Sequence, residues 1–166
     1  MILAEILIKS FWAGIAAIGF AILFNVPRRT LFPIWCIGAM GGLIKFTAMN
    51  YNVGIVFASF IGAVAVGIVS IQMAHMRNSP PLVFSIPSVI PMIPGVFAYK
   101  FMLGMIALTT IENNGTFIQT LIETVNNGAK TMFVLIALGT GVAIPMLLTR
   151  KESVKKSKFN KKKAVA

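Results

Sequence analysis

Between Ser85 and Gly95 the chain reads Ser-Ile-Pro-Ser-Val-Ile-Pro-Met-Ile-Pro-Gly, with three prolines and a glycine in nine residues of an apolar run. Each proline lacks a backbone donor and crowds the carbonyl four residues before it. A helix drawn through this stretch therefore strips the carbonyls of Val83, Pro87 and Ile90 of their usual partners. In hydrocarbon such groups need another helix, water or a ligand. Gly95 adds a hinge or a point of close approach. If the helix breaks here, the half beginning near Gly95 turns its positive end into the membrane, where it suits a carboxylate. The freed carbonyls suit an ammonium or a hydroxyl. Ser88 and Tyr99, eleven residues apart, would share one face of a continuous helix. The competing reading is a proline-kinked packing helix, because proline is common in membrane spans.

Lys45 and Lys100 are the cations expected within the membrane thickness. Burying a charge at the midplane costs at least about 2.5–3.5 kcal/mol, which makes such a residue a functional candidate. Snorkelling to the headgroups is the alternative, more so for Lys45, which lies four residues from the end of its apolar run. The candidate substrate-binding set is thus Ser88, Pro91, Pro94, Gly95, Tyr99, Lys100 and Lys45. Glu5 and Lys9, spaced i to i+4, suit a local ion pair, although Glu5 is also the only carboxylate inside a hydrophobic run. His75 beside Arg77 reads as interfacial. One His, one Cys and no Asp make a metal site built from protein ligands alone implausible, and no cofactor is expected. Cys36 is the sole cysteine, so no intrachain disulfide can form.

These residues must be positioned by five apolar stretches, each near the ~20 residues that cross a bilayer. They run from about Leu3 to Phe24, Leu31 to Met49, Val53 to Met76, Leu82 to Ile111, and Ala129 to Thr149. The fourth carries the prolines. The expected fold is all-α, a polytopic bundle of five transmembrane helices whose fourth is proline-broken. It occupies residues 1–149, and residues 150–166 form a basic cytoplasmic tail expected to be disordered. With Arg28 and Arg29 inside, five crossings also place Arg77 and the tail in the cytoplasm and the N-terminus outside. The outer connections, Asn50-Tyr51-Asn52 and Glu112 to Gly128, then carry two Glu and no Lys or Arg, as the positive-inside rule asks. Thr116 to Val125 is too short to span. It reads either as a short amphipathic helix at the outer interface, with Phe117, Leu121 and Ile122 on one stripe, or as a plain loop. Gly38 and Gly42, then Gly54, Ala58 and Gly62, and Ala63 with Gly67, repeat small residues every four positions, the spacing of close helix contacts.

Composition agrees. The chain is 57% hydrophobic and 11% charged, against about 25% charged in a soluble domain. A net charge of +11 invites a nucleic-acid partner, but eight of the fifteen Lys and Arg fall between Arg150 and Lys163. A basic run after a membrane helix fixes topology or touches anionic lipid. The first apolar run lacks a basic leader and a small-residue cleavage site, so it reads as a retained helix. No Walker loop, dinucleotide fingerprint or nucleophile–base pairing stands out, which argues against an enzyme. Nor is there an internal repeat, although many secondary transporters are built from two inverted halves.

At Gly19-Phe-Ala-Ile-Leu-Phe-Asn-Val-Pro27 and Val89-Ile-Pro-Met-Ile-Pro-Gly-Val-Phe-Ala-Tyr99 the chain resembles the C-terminal membrane half of the threonine/serine exporter family, in its short YjjB-like form. The resemblance covers about residues 5 to 149. It implies one half of a ten-helix exporter of small amino acids or organic acids in the bacterial inner membrane. A longer subunit carrying the N-terminal half is the implied partner. It supplies no site residue position by position. The resulting expectation is a proton-coupled secondary exporter subunit; the alternative is a structural subunit whose partner holds the whole path.

Overall fold

A computed structural model of the protein describes residues 2–110 and 114–149. The basic tail, Glu112 and Glu152 lie outside the described residues. Six α-helices follow one another: α1 (Ile2–Leu23), α2 (Leu31–Asn50), α3 (Ile55–Arg77), α4 (Leu82–Val89), α5 (Gly95–Leu108) and α6 (Asn114–Thr149). Single 3₁₀ turns, Arg28–Thr30 and Ile90–Met92, precede α2 and follow α4. No strand occurs among the described residues.

Among the described residues four helices are long and apolar enough to cross a membrane. The segment Leu82–Met92 and α5, bent by 58° at the prolines, pass that test only as a pair, and taken as one broken span they bring the candidate crossings to five. The architecture is a helical membrane bundle with a broken fourth crossing.

The first three helices end in the same way. Asn25, Asn52 and Asn78 each adopt a left-handed conformation, with φ of 54°, 59° and 49°. Asparagine tolerates that region because its short polar side chain bonds locally. In each case the next residue, Val26, Val53 or Ser79, donates its N–H to a carbonyl five residues back, at 3.0, 3.2 and 3.1 Å. This Schellman arrangement satisfies carbonyls that would otherwise be orphaned at a helix end. A left-handed asparagine thus sharpens each turn between the early crossings.

Small residues bring the helices together. A Cβ on Gly38 of α2 would lie 2.7 Å from the Ala17 Cβ of α1, and one on Gly141 of α6 would lie 2.8 Å from the Ala63 Cβ of α3. Gly67 of α3 meets the Val142 backbone of α6 at similar range. The expected small-residue steps are therefore packing contacts, with one exception. Gly54 faces open space and serves as the N-cap of α3. The core is built of Ala17, Ala21, Ile34, Ile37, Ala63, Val66, Phe84, Met92, Val134 and Leu138. Helix α4 packs on α1, α2 and α3, whereas α6 packs on α3 and α5. No residue of α5 is fully buried.

One expectation is corrected. Thr116 to Val125 is neither a separate interfacial helix nor a loop: it is the first third of α6, which runs unbroken for 36 residues. At 1.5 Å per residue that is about 54 Å, well beyond the ~30 Å hydrocarbon core. The expected outer connection ended at Gly128, yet the helix runs through it, braced by α5: the Phe101 ring fills the space beside Gly128, and Gly104 sits against Thr124.

Candidate substrate site at the proline break

The prolines end α4 at Val89 and the 3₁₀ turn at Met92, and α5 restarts at Gly95 in a new direction. At that elbow the Lys45 ammonium of α2 donates to the Met92 carbonyl at 2.5 Å. Lys45 is 5% exposed. Among the described residues its ammonium meets no carboxylate; the ion pair found there joins Lys9 to Glu5 at 3.7 Å on the exposed face of α1. A cation held in the interior of a membrane helix bundle by a single neutral carbonyl is costly, and such a residue by default points to a substrate or ion.

Glycines allow this contact. The Met92 side chain lies against Gly41 of α2 and Gly62 of α3, where added Cβ atoms would come 3.3 Å from its Sδ and 2.5 Å from its Cε. The elbow is thereby wedged between α2 and α3. Ser88 ties the preceding turn to α2 as well. Its hydroxyl donates to the Phe84 carbonyl at 2.8 Å and shares that proton with the Ile34 carbonyl at 3.2 Å. Three further hydroxyls, on Ser59, Ser70 and Ser85, are fully buried with no partner. Each forgoes the satisfaction expected of a buried polar group, worth about 1–3 kcal/mol.

The structure sorts the expected residues into two groups. Lys45, Ser88, Pro91 and Pro94 gather at the elbow with Met92. Tyr99 and Lys100 stand on the exposed surface of α5, Tyr99 at 58%. Ser88 and Tyr99 do not share a face, because the 58° bend separates their helices. The expected free carbonyl at Ile90 is also corrected, since it accepts the Ile93 N–H at 3.0 Å. At the start of α5 the Gly95, Phe97 and Ala98 amides bond to the carbonyls of Ile93 and Pro94. That helix end is consequently less open to an anion than the sequence suggested. Gly95 itself has nothing within 4 Å of its Cβ position, so it acts as a turn and not as a close approach.

Two residues were missed. Met92 reads in sequence as apolar filler, and only the fold shows that its carbonyl holds the lysine. Lys130 of α6 lies 5.4 Å from the centroid of the Phe97 ring of α5, a cation–π contact. Its place at the start of the fifth apolar run hid its depth once α6 was taken to begin later. His75 is exposed, and its Nδ1 lies 2.8 Å from the Ile71 carbonyl. A carbonyl only accepts, so Nδ1 carries the hydrogen.

A second feature lies on the other side of the elbow. A cleft of about 920 Å³ separates α4 from α6 above α3, with Ser85, Val89 and Ile90 on one wall and Leu138 and Val142 on the other. It opens because α4 leans on α2 and α3 while the bend carries α5 across to α6.

Comparison with known proteins places this architecture. Residues 9–148 match the family described as "Threonine/Serine exporter, ThrE". An uncharacterized protein of Haemophilus influenzae is 33% identical over 144 residues, covering 87% of this chain and 48% of that relative. The chain thus spans about half the length of the relative it matches. No solved structure matches. With a family match across nearly all of its membrane helices, the chain belongs to the threonine/serine exporter family of membrane transport proteins.

Proposed function

We propose that this chain is one membrane subunit of a secondary exporter of small amino acids such as threonine and serine, or of small organic acids. It works with a longer subunit that supplies the other half of the path. The export is proton-coupled, and the complex sits in the bacterial inner membrane with the N-terminus of this chain outside and its C-terminus in the cytoplasm. The observation that carries the proposal is the Lys45 ammonium, buried at the elbow without a carboxylate and held only by the Met92 carbonyl. A substrate carboxylate supplies the missing counter-charge, while carbonyls of the elbow accept from a substrate ammonium or hydroxyl. Substrate-binding residues are then Lys45, Ser88, Pro91, Pro94 and the Met92 backbone, with Gly95 setting the turn. Tyr99 and Lys100 contribute from α5 where the partner completes the path.

Efflux of labelled serine, threonine and small dicarboxylates is the test, in cells making this chain, the longer subunit, or both. Export is expected only from the pair. Full export from this chain alone would refute the two-subunit reading. The rival is a scaffold role, and it too has an observation behind it: the Lys45–Met92 contact joins α2 to the elbow as a strut would.

A further inference from the structure

We propose that the cleft between α4 and α6 is a binding site for one anionic glycerophospholipid. Its acyl chains lie against Ile86, Val89, Leu138 and Val142, and its phosphate lies at the end marked by His75 and Arg77. The proposal depends on the chain's being in a membrane and not on which solute is exported.

The distribution of polar groups decides the ligand class. Those lining the cleft lie at one end: His75 in the last turn of α3, Ser85 in the first turn of α4, and Thr149 at the close of α6. Farther in, the walls are Ile, Val, Leu and Met. A passage for a polar solute would carry polar groups along its length, whereas an amphiphile needs them at one end only. The volume, about 920 Å³, is at the upper end of ligand pockets.

Ser85 is the second, independent sign. It is fully buried, it lines the cleft, and its hydroxyl has no partner. It stands three residues into α4, about 4.5 Å below the start of the helix. An ester carbonyl of a glycerolipid seated in the cleft is the acceptor that this hydroxyl lacks.

Charge selects an anionic headgroup. Among the described residues no Asp or Glu lines the cleft. Arg77 ends α3, two residues beyond the lining His75. Basic residues beside a membrane surface attract anionic lipid.

A helix of the partner is the other candidate occupant. Elsewhere this chain packs helices through small residues, as at Gly38 against Ala17 and Gly141 against Ala63. The cleft presents mainly bulky branched side chains, with Gly139 and Ala143 as the small ones. Membrane helix contacts favour small residues, so the walls suit acyl chains better.

Two measurements test this on the full chain together with its longer subunit. A benzoylphenylalanine at Ile86, photolysed in intact membranes, is expected to yield an adduct of phospholipid mass. Native mass spectrometry of the purified complex, offered phosphatidylglycerol or phosphatidylcholine, should show one phosphatidylglycerol retained preferentially. Arg77→Gln, at an exposed helix end, should weaken that retention about fivefold, the factor that about 1 kcal/mol per basic side chain gives. Ala143→Phe should abolish it by filling the cleft. A polypeptide adduct at Ile86 overturns the proposal in favour of a partner helix. Equal retention of both lipids, or retention indifferent to both variants, overturns it in favour of unselective lipid.

Discussion

Replacing Lys45 with methionine keeps the length of the side chain and removes its charge and its three donors. Two opposing effects on stability follow. The Met92 carbonyl loses its partner, a cost of about 1–3 kcal/mol for a buried group. A buried charge also disappears, returning about 2.5–3.5 kcal/mol at membrane depth. The terms nearly cancel, so membrane levels and thermal stability of Lys45→Met should stay close to those of the parent. Export should not, because a charged hydrogen bond to substrate is worth about 1.5–3 kcal/mol. That converts to a fall of roughly 10- to 150-fold in the efflux rate at limiting substrate. Normal efflux at a normal membrane level would make Lys45 a strut and move the counter-charge elsewhere. Lys45 could be named from sequence because a cation in an apolar run is conspicuous. Met92 could not, since its role is carried by a backbone carbonyl that every residue owns.

At the scale of elements, the prolines make a sharper prediction now that the elbow is described. Pro91 lies inside the 3₁₀ turn and Pro94 is the N-cap of α5. Changing both to alanine returns two donors and removes the steric reason for the 58° bend. Alanine is the better helix former by about 3 kcal/mol in a helix interior, so the segment should straighten and thermal stability should hold or rise. Straightening draws the Met92 carbonyl into the helix and away from Lys45. Export should therefore fall sharply even as the fold improves. Spin labels at Leu82 and Leu108 report the geometry, and their separation should lengthen. An unchanged separation with normal export would mean that α2 and α3 impose the bend and that the prolines only accept it. The break itself was legible in the sequence because proline acts locally. The unbroken course of α6 was not, because Asn126, Asn127 and Gly128 are weak helix formers that hold a helix only when a neighbour such as α5 braces them. Tertiary support of that kind leaves no mark in the segment it supports. Ser88 and Tyr99 part at the legible break and not for want of tertiary information, since they share a face only along a continuous helix.

Across the whole molecule, charge orders the loops. Arg28, Arg29 and Arg77 fall at one end of the bundle by the parity of its crossings, and the turn at Asn50 to Asn52 falls at the other. Reporter fusions after Arg29, Arg77 and Lys151 should read cytoplasm, and fusions at Asn52 and Asn114 should read outside. A C-terminus on the outer side would sink the orientation, leaving the helices as they are. The same loop parity could be read from sequence alone, since it needs only the number of spans and the position of each basic residue.

The second half of the fourth crossing carries the remaining question at this scale, which is what covers α5. Helix α5 packs on α6, no residue of it is fully buried, and Lys100 stands on its exposed surface. Lys100 lies five residues beyond the elbow, about 7.5 Å along the helix axis. If the elbow sits near mid-membrane, lipid there is a poor solvent for an ammonium, and snorkelling must stretch the stem toward the surface. A partner subunit lying over α5 removes that cost by offering a carboxylate or carbonyl. The chain spans only half of its Haemophilus relative, so the proposed longer subunit is the natural source of such a group. Lys100→Met distinguishes the two environments. Under the partner, the substitution breaks a buried polar contact, and recovery of the longer subunit with this chain should drop about tenfold, the factor for 1.4 kcal/mol. Facing lipid, it removes a penalty of about 2.5–3.5 kcal/mol, so the membrane level of this chain expressed alone should rise while co-purification is unchanged. Measuring both quantities in one set of membranes gives the two views distinct outcomes. A rise in level with intact co-purification would put the partner on another face and leave α5 to the lipid.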